Sequence, residues 1–121
     1  MKIFKSEALI RSENPAPGTN YKKRLLEELN AQTLTGIFGI LVPGNERDPY
    51  HYHERGDHII FILSGEGIEI VEDEEFPISA GDVLFIPAGE KHTIVNNSDK
   101  DLRYLGFCTR SPGKSDYIEV K

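Results

Sequence analysis

Tryptophan is absent from this 121-residue chain, and methionine and cysteine each occur once. A single cysteine, Cys108, excludes a disulfide within the chain and agrees with a reducing compartment. It lies in an apolar stretch and reads as a small buried hydrophobe. No apolar run nears the roughly 20 residues of a membrane-spanning helix, so no membrane partner is expected. The first residues, Met1 to Glu7, contain no apolar core of leader length, and a cytoplasmic location is expected. Basic residues are the minority: 14 Lys and Arg face 20 Asp and Glu, for a net charge of -6. Nucleic-acid binding draws on a basic face that displaces counterions, so no nucleic-acid partner is expected. The one basic run, Lys22-Lys23-Arg24, is followed by Glu27 and Glu28 and reads as a solvated face; contact with an anionic substrate is the lesser alternative. The acidic run Glu72 to Glu75 reads as a hairpin tip.

What is present is a series of short apolar or alternating segments separated by turns. Leu34 to Val42 is β-rich and stops at Pro43-Gly44. Ile59 to Leu63 is continuously apolar and predicts a strand buried on both faces. Ile68 to Val71, Phe76 to Ile78, Val83 to Ile86, His92 to Val95 and Leu102 to Thr109 follow. Turns at this spacing predict an all-β sandwich or barrel. Residues 14–20 and 111–116 read as loop and tail linker. Tyr21 to Asn30 carries helix-forming residues with Leu25, Leu26 and Leu29 on one stripe; in a β-barrel context the strand reading is preferred. The chain is read as one domain, 1–121, with its core at 34–109.

All four histidines, His51, His53, His58 and His92, fall in two glycine-punctuated segments. Strand alternation points His51 and His53 to one side and Tyr52 to the other. Gly56 gives the turn after His53 its freedom, and His58 opens the next strand. His92 opens a strand much later, after Pro87-Ala88-Gly89. Four imidazoles from adjacent strands can therefore converge inside a barrel, and imidazole is the commonest protein ligand for transition metals. By parity, Ile60 and Ile62 share the face of His58, and Ile94 and Asn96 that of His92. These predict a largely apolar cavity wall. Phe38, Phe85, Tyr104 and Phe107 are candidates for wall or core, with core preferred. Tyr50 is placed at the mouth, and Arg47 and Arg55 flank the site as candidate anion contacts.

The two segments resemble the motifs of the cupin superfamily. The second matches in full, from Gly81 through Pro87, Gly89 and His92 to Asn96. The first runs from Gly44 through His51 and His53 to Gly65, with six residues instead of five before His51. His58 stands where the family has its glutamate. The resemblance implies a double-stranded β-helix, or jelly-roll, barrel. It also implies one divalent transition metal on His51, His53 and His92. His58 is carried over as a fourth ligand, with Asp57 turned away as a candidate hydrogen-bond acceptor behind the ligands. Four neutral imidazoles leave the ion near +2, where three histidines and a glutamate would leave it near +1. That favours anionic ligands. Mn, Fe, Ni, Zn and Cu all stay open.

Three functions follow. The first is a metal-dependent enzyme, a dioxygenase, isomerase or lyase, acting on a small anionic or sugar-like substrate. The second is a non-catalytic binding or sensor protein for a small ligand. The third is a barrel whose metal only stabilises the fold. No general base is evident beside the histidines. Small cupins commonly pair, and the resemblance implies a homodimer with segment 1–33 in its contacts.

Overall fold

The computed structural model describes residues 1–5, 20–26, 34–43, 50–109 and 117–120. These form ten strands and no helix: β1 (Tyr21–Arg24), β2 (Leu34–Leu41), β3 (His51–His53), β4 (His58–Ser64), β5 (Glu66–Val71), β6 (Glu74–Ser79), β7 (Val83–Ile86), β8 (His92–Val95), β9 (Leu102–Thr109) and β10 (Tyr117–Glu119). They build two antiparallel five-stranded sheets, ordered β1-β2-β9-β4-β7 and β10-β3-β8-β5-β6. The chain crosses repeatedly between the sheets, which is the double-stranded β-helix arrangement expected. Among the described residues no helix is long and apolar enough to cross a membrane.

Alternation decides which side chains fill the space between the sheets. Along β9, Leu102, Tyr104 and Cys108 are buried while Arg103, Leu105 and Phe107 are less so. The inner cluster joins Leu41, Ile60, Ile62, Ile86, Leu102 and Tyr104 of the first sheet to Ile78 and Ile94 of the second. Ile62 and Leu102 have no exposed surface, and burying a side chain of that size contributes about 1.5–3 kcal/mol. A second cluster lies on the outer face of β2, where Leu25, Phe38 and Ile40 pack with Phe4, Tyr21, Leu26 and Leu105.

Two expectations are corrected here. Strand β4 is buried on one face only: Ile60 and Ile62 point inward, whereas Ile59, Phe61 and Leu63 are 47%, 40% and 37% exposed. A run with apolar residues on both faces reads the same whether or not its outer face is covered. Phe85 is not core; it shares that outer face, on β7, and is 61% exposed. Segment 21–30 is a strand over Tyr21–Arg24, and residues 27–33 lie outside the described residues. Strand pairing sets Tyr21 opposite Ile40, and its ring meets Phe38 edge-on at 6.3 Å. The loop residues 14–19 and the linker 111–116 also fall outside the description.

The acidic run does form a hairpin tip. Val71 pairs with Glu74, and Glu72 and Asp73 between them have φ of 49° and 68°. Two residues at positive φ match the twist of a two-residue hairpin. Tyr50 braces the turn: its hydroxyl accepts from the Asp73 amide at 3.1 Å and donates to Asp73 Oδ1 at 3.2 Å. Tyr50 thus serves the hairpin and does not line the main cavity.

The residue that ends the second motif, Asn96, is also structural. Its Nδ2 donates to the carbonyls of Leu41 (2.8 Å) and Lys100 (2.7 Å), and its Oδ1 accepts from the Ser98 amide and hydroxyl. A buried amide with both donors and its acceptor engaged ties β2 to the end of β8. It is therefore not part of the cavity wall, and neither is Ile62, which sits deeper in the core.

Candidate metal centre

The four histidines reach one cavity from three strands. β3 supplies His51 and His53, β4 supplies His58, and β8 supplies His92. His51 and His92 are register partners in the second sheet, and their rings lie 4.3 Å apart. His53 alternates onto the same side, 5.2 Å from His51 between ring centres. His58 faces them from the first sheet at 5.4 Å from both His53 and His92. Gly106 makes room for it, since a Cβ there would lie 3.0 Å from His58 Nε2.

One nitrogen from each of His51, His53 and His92 lies within 4.8 Å of the others. His58 Nδ1 is 3.3 Å from His92 Nε2. Two nitrogens on one ion at about 2.1 Å stand about 3.0 Å apart at right angles and about 3.4 Å apart at the tetrahedral angle. His58 lies outside that three-histidine group, and its contact with His92 is also within hydrogen-bond distance. His92 Nδ1 lies 3.2 Å from the Glu90 carbonyl and donates to it, which turns Nε2 toward the cavity as the ligand atom. The donor set suits a transition metal, and the structure fits one.

Burial holds His58 and His92 neutral, the form that binds metal. Desolvation first, then the neighbouring imidazoles and Lys22, pull His58 down to about 3 from 6.5. Desolvation and His51 pull His92 down to about 4, against the hydrogen bond to Glu90. In the unfolded chain these groups take up protons near 6.5, so the unfolded state binds more protons below that pH. The stability they allow is complete above about 6.5 and is lost as pH falls toward about 4. Thermal melts of the metal-free protein should show Tm falling from about pH 7 to about pH 5. An unchanged Tm over that range would contradict the burial of neutral histidines.

The cavity has a volume of about 120 Å³. Beyond the histidines its walls include Ile60, Ile94, Tyr104, Cys108 and Tyr117. Cys108 is buried, as expected, and contributes to this wall. Among the described lining residues there is no Asp or Glu, and Lys22 is the one formally charged side chain. Arg55 is exposed and does not line the cavity, and Arg47 lies outside the described residues. Asp57 turns away from the histidines and accepts from the Ala88 amide at 3.1 Å, pinning the Pro87–Gly89 turn.

One residue of the wall, Tyr117, was not singled out from the sequence, and Lys22 was read there as part of a solvated basic run, with contact to an anionic substrate the lesser alternative. Tyr117 stacks on His51 at 4.5 Å with 26° between planes, because β10 pairs with β3 and sets Tyr117 opposite His53. Its signal was hidden: the strand is three residues long and pairs across more than sixty positions. Lys22 is exposed yet borders the cavity, because the register of β1 sets it opposite Gly39, which has no side chain.

The family profile described as the cupin domain matches residues 38–108, more than half the chain. Over 55 residues the chain is 44% identical to the oxalate-binding protein of Thermotoga maritima, covering 46% of this chain and 46% of that protein. The chain thus spans about half the length of this relative. Among solved structures, a sugar phosphate isomerase from Silicibacter pomeroyi matches with TM-score 0.69 and 26% identity, over 77% of this chain and 60% of that one. A predicted oxalate decarboxylase from Thermotoga maritima matches with TM-score 0.68 and 31% identity, over 76% of this chain and 81% of that one.

Proposed function

Since the chain belongs to the cupin family, we propose that it holds one divalent transition metal on His51, His53, His58 and His92 and works as a metal-dependent enzyme on a small organic anion. The observation that carries this reading is the cavity lining: four imidazoles converge, and no carboxylate is among the described lining residues. An ion bound there retains nearly its whole charge and supplies Lewis acidity at its open positions. The chain's own residues do the rest. Ile60, Ile94 and Tyr104 exclude water from one side, Tyr117 covers His51, and the Glu90 carbonyl orients His92. A cavity of about 120 Å³ favours short carboxylates over sugar phosphates; an engineered cavity of about 150 Å³ takes benzene. The names of the two Thermotoga maritima proteins point to the same chemistry.

The test is elemental analysis of untagged protein, followed by titration with short carboxylates and assay for their turnover. About one transition metal per chain and loss of the carboxylate support the enzyme reading. Binding without turnover supports the second reading, a ligand-binding cupin, which the absence of a carboxylate base in the described lining favours. A metal that resists carboxylate altogether indicates a closed structural ion.

We also read the chain as a single domain of the cytoplasm that pairs with a second copy. The support for pairing is the outer face of the first sheet, where Ile59, Phe61, Leu63, Val83 and Phe85 stand exposed on adjacent strands. This face adjoins the outer cluster that Phe4, Leu25 and Leu26 cover within the chain. Exposed apolar patches of this kind mark interaction surfaces. Phe61→Glu is expected to convert a dimer to a monomer in sedimentation velocity, and a sedimentation coefficient equal to that of the unaltered chain rejects this surface.

A further inference from the structure

Burial along the cavity wall shows where the cavity meets solvent. Among its described lining residues only Lys22 and Tyr117 are exposed, while Ile60, Ile94, Tyr104 and Cys108 are buried. Lys22 stands on β1, the edge strand of the first sheet, and Tyr117 on β10, the edge strand of the second. The mouth therefore lies between these two edges.

Pairing of β10 with β3 sets Tyr117 opposite His53 and Ile118 opposite Tyr52. Alternation then turns Tyr117 to the histidine side and Ile118 to the outer face. The Tyr117 ring lies over His51 at 4.5 Å, with 26° between planes, and meets His53 edge-on at 6.0 Å. It spans both histidines of β3 and is itself 42% exposed. The backbone beneath it is held separately. β10 pairs with β3 over its three residues, and the Val120 amide donates to the Tyr50 carbonyl at 2.7 Å. Rotation of the side chain toward solvent uncovers His51 while the strand stays paired.

We infer that the Tyr117 ring is the gate of the cavity: stacked on His51 it closes the mouth, and small molecules enter when it swings out. The inference stands on the geometry of the mouth and does not depend on what the histidines bind. Exposed side chains turn in picoseconds to nanoseconds. Entry is therefore set by the fraction of time the gate stands open, not by the speed of its motion. For an aromatic pair of ordinary strength that fraction is about a tenth to a third.

Cys108 supplies the test, because the single cysteine of the chain is buried in the wall of this cavity. Its reaction with methyl methanethiosulfonate, a reagent small enough for a cavity of about 120 Å³, is followed by mass spectrometry on the untagged, chelator-treated full chain. Tyr117→Ala is expected to speed labelling about threefold to tenfold, with Tyr117→Phe close to the unaltered chain. Ile118→Ala, on the outward side of the same strand, is expected to change the rate by less than about twofold. Each rate is repeated in dilute urea, since labelling through strand unfolding rises with denaturant and labelling through a side-chain gate does not. No acceleration by Tyr117→Ala, equal acceleration by Ile118→Ala, or a steep urea dependence of the Tyr117→Ala rate overturns the inference.

Discussion

Replacing His92 with alanine is expected to lower metal affinity by about a hundredfold to a thousandfold, the largest effect of any single substitution at the cavity. The magnitude follows from the ligand count. A protein zinc site of four ligands contributes roughly 10–16 kcal/mol, so each ligand supplies roughly 2.5–4 kcal/mol. His92 is the centre of the cluster: it is 2% exposed, stands 4.3 Å from the His51 ring and places Nε2 3.3 Å from His58 Nδ1. Competition titration against a chromophoric chelator, on untagged protein, gives the number. His58→Ala, measured beside it, separates a four-histidine site from a three-histidine one. A comparable loss makes His58 a ligand; retention of affinity confines the ion to His51, His53 and His92.

Gly65→Ala is expected to cost on the order of 3–4 kcal/mol of stability, lowering Tm by roughly 10 °C or more. Gly65 has φ of +86°, a conformation that strains any residue with a Cβ. A Cβ there would also strike the Asp101 carbonyl oxygen and lie 2.9 Å from Leu102 Cα. Both are backbone atoms, which cannot swing aside as a side chain would. Gly81 is the control. Its φ is +94°, but nothing lies within 4 Å of the added carbon, so Gly81→Ala carries only the conformational cost of about 1–2 kcal/mol. Paired denaturant melts decide the matter: if the two substitutions cost the same, the close approach of residues 101–102 does not hold this turn.

The same glycines explain why so much of the fold could be read from the chain. Gly65, Gly81 and Gly89 all have positive φ, so the turns they make need that residue and no other readily serves. With the turns fixed, period-two alternation placed His51, His53, His58 and His92 on inward faces, and the structure brings them to one cavity. The reading failed where the outcome depends on contacts remote in sequence. Whether Ile59, Phe61 and Phe85 are covered depends on what lies over the outer face, and periodicity is silent on that. Asn96 shares parity with His92 but follows the end of its strand, where the carbonyls of Leu41 and Lys100 capture its amide. Tyr117 reaches His51 only through pairing of β10 with β3. Lys22 lay in a run of three cations, and only the register of β1 on β2 shows which one borders the cavity.

The join between β3 and β8 has a consequence for how the molecule opens. β2 and β9 stay in register along their whole length, yet β3 meets β8 at His51 and His92 alone, helped by the Gly89 amide donating to the His53 carbonyl at 2.8 Å. β3 in turn carries β10 at the outer edge of its sheet. A seam with so little ladder is where sub-global opening costs least, and β3 with β10 forms the natural unit to peel away. The cavity sits across that seam. An ion shared by β3, β8 and β4 would rivet the loosest strands of one sheet to a central strand of the other. The free energy of binding would then be spent where the fold is weakest, and the order in which the barrel breathes would depend on whether the rivet is in place.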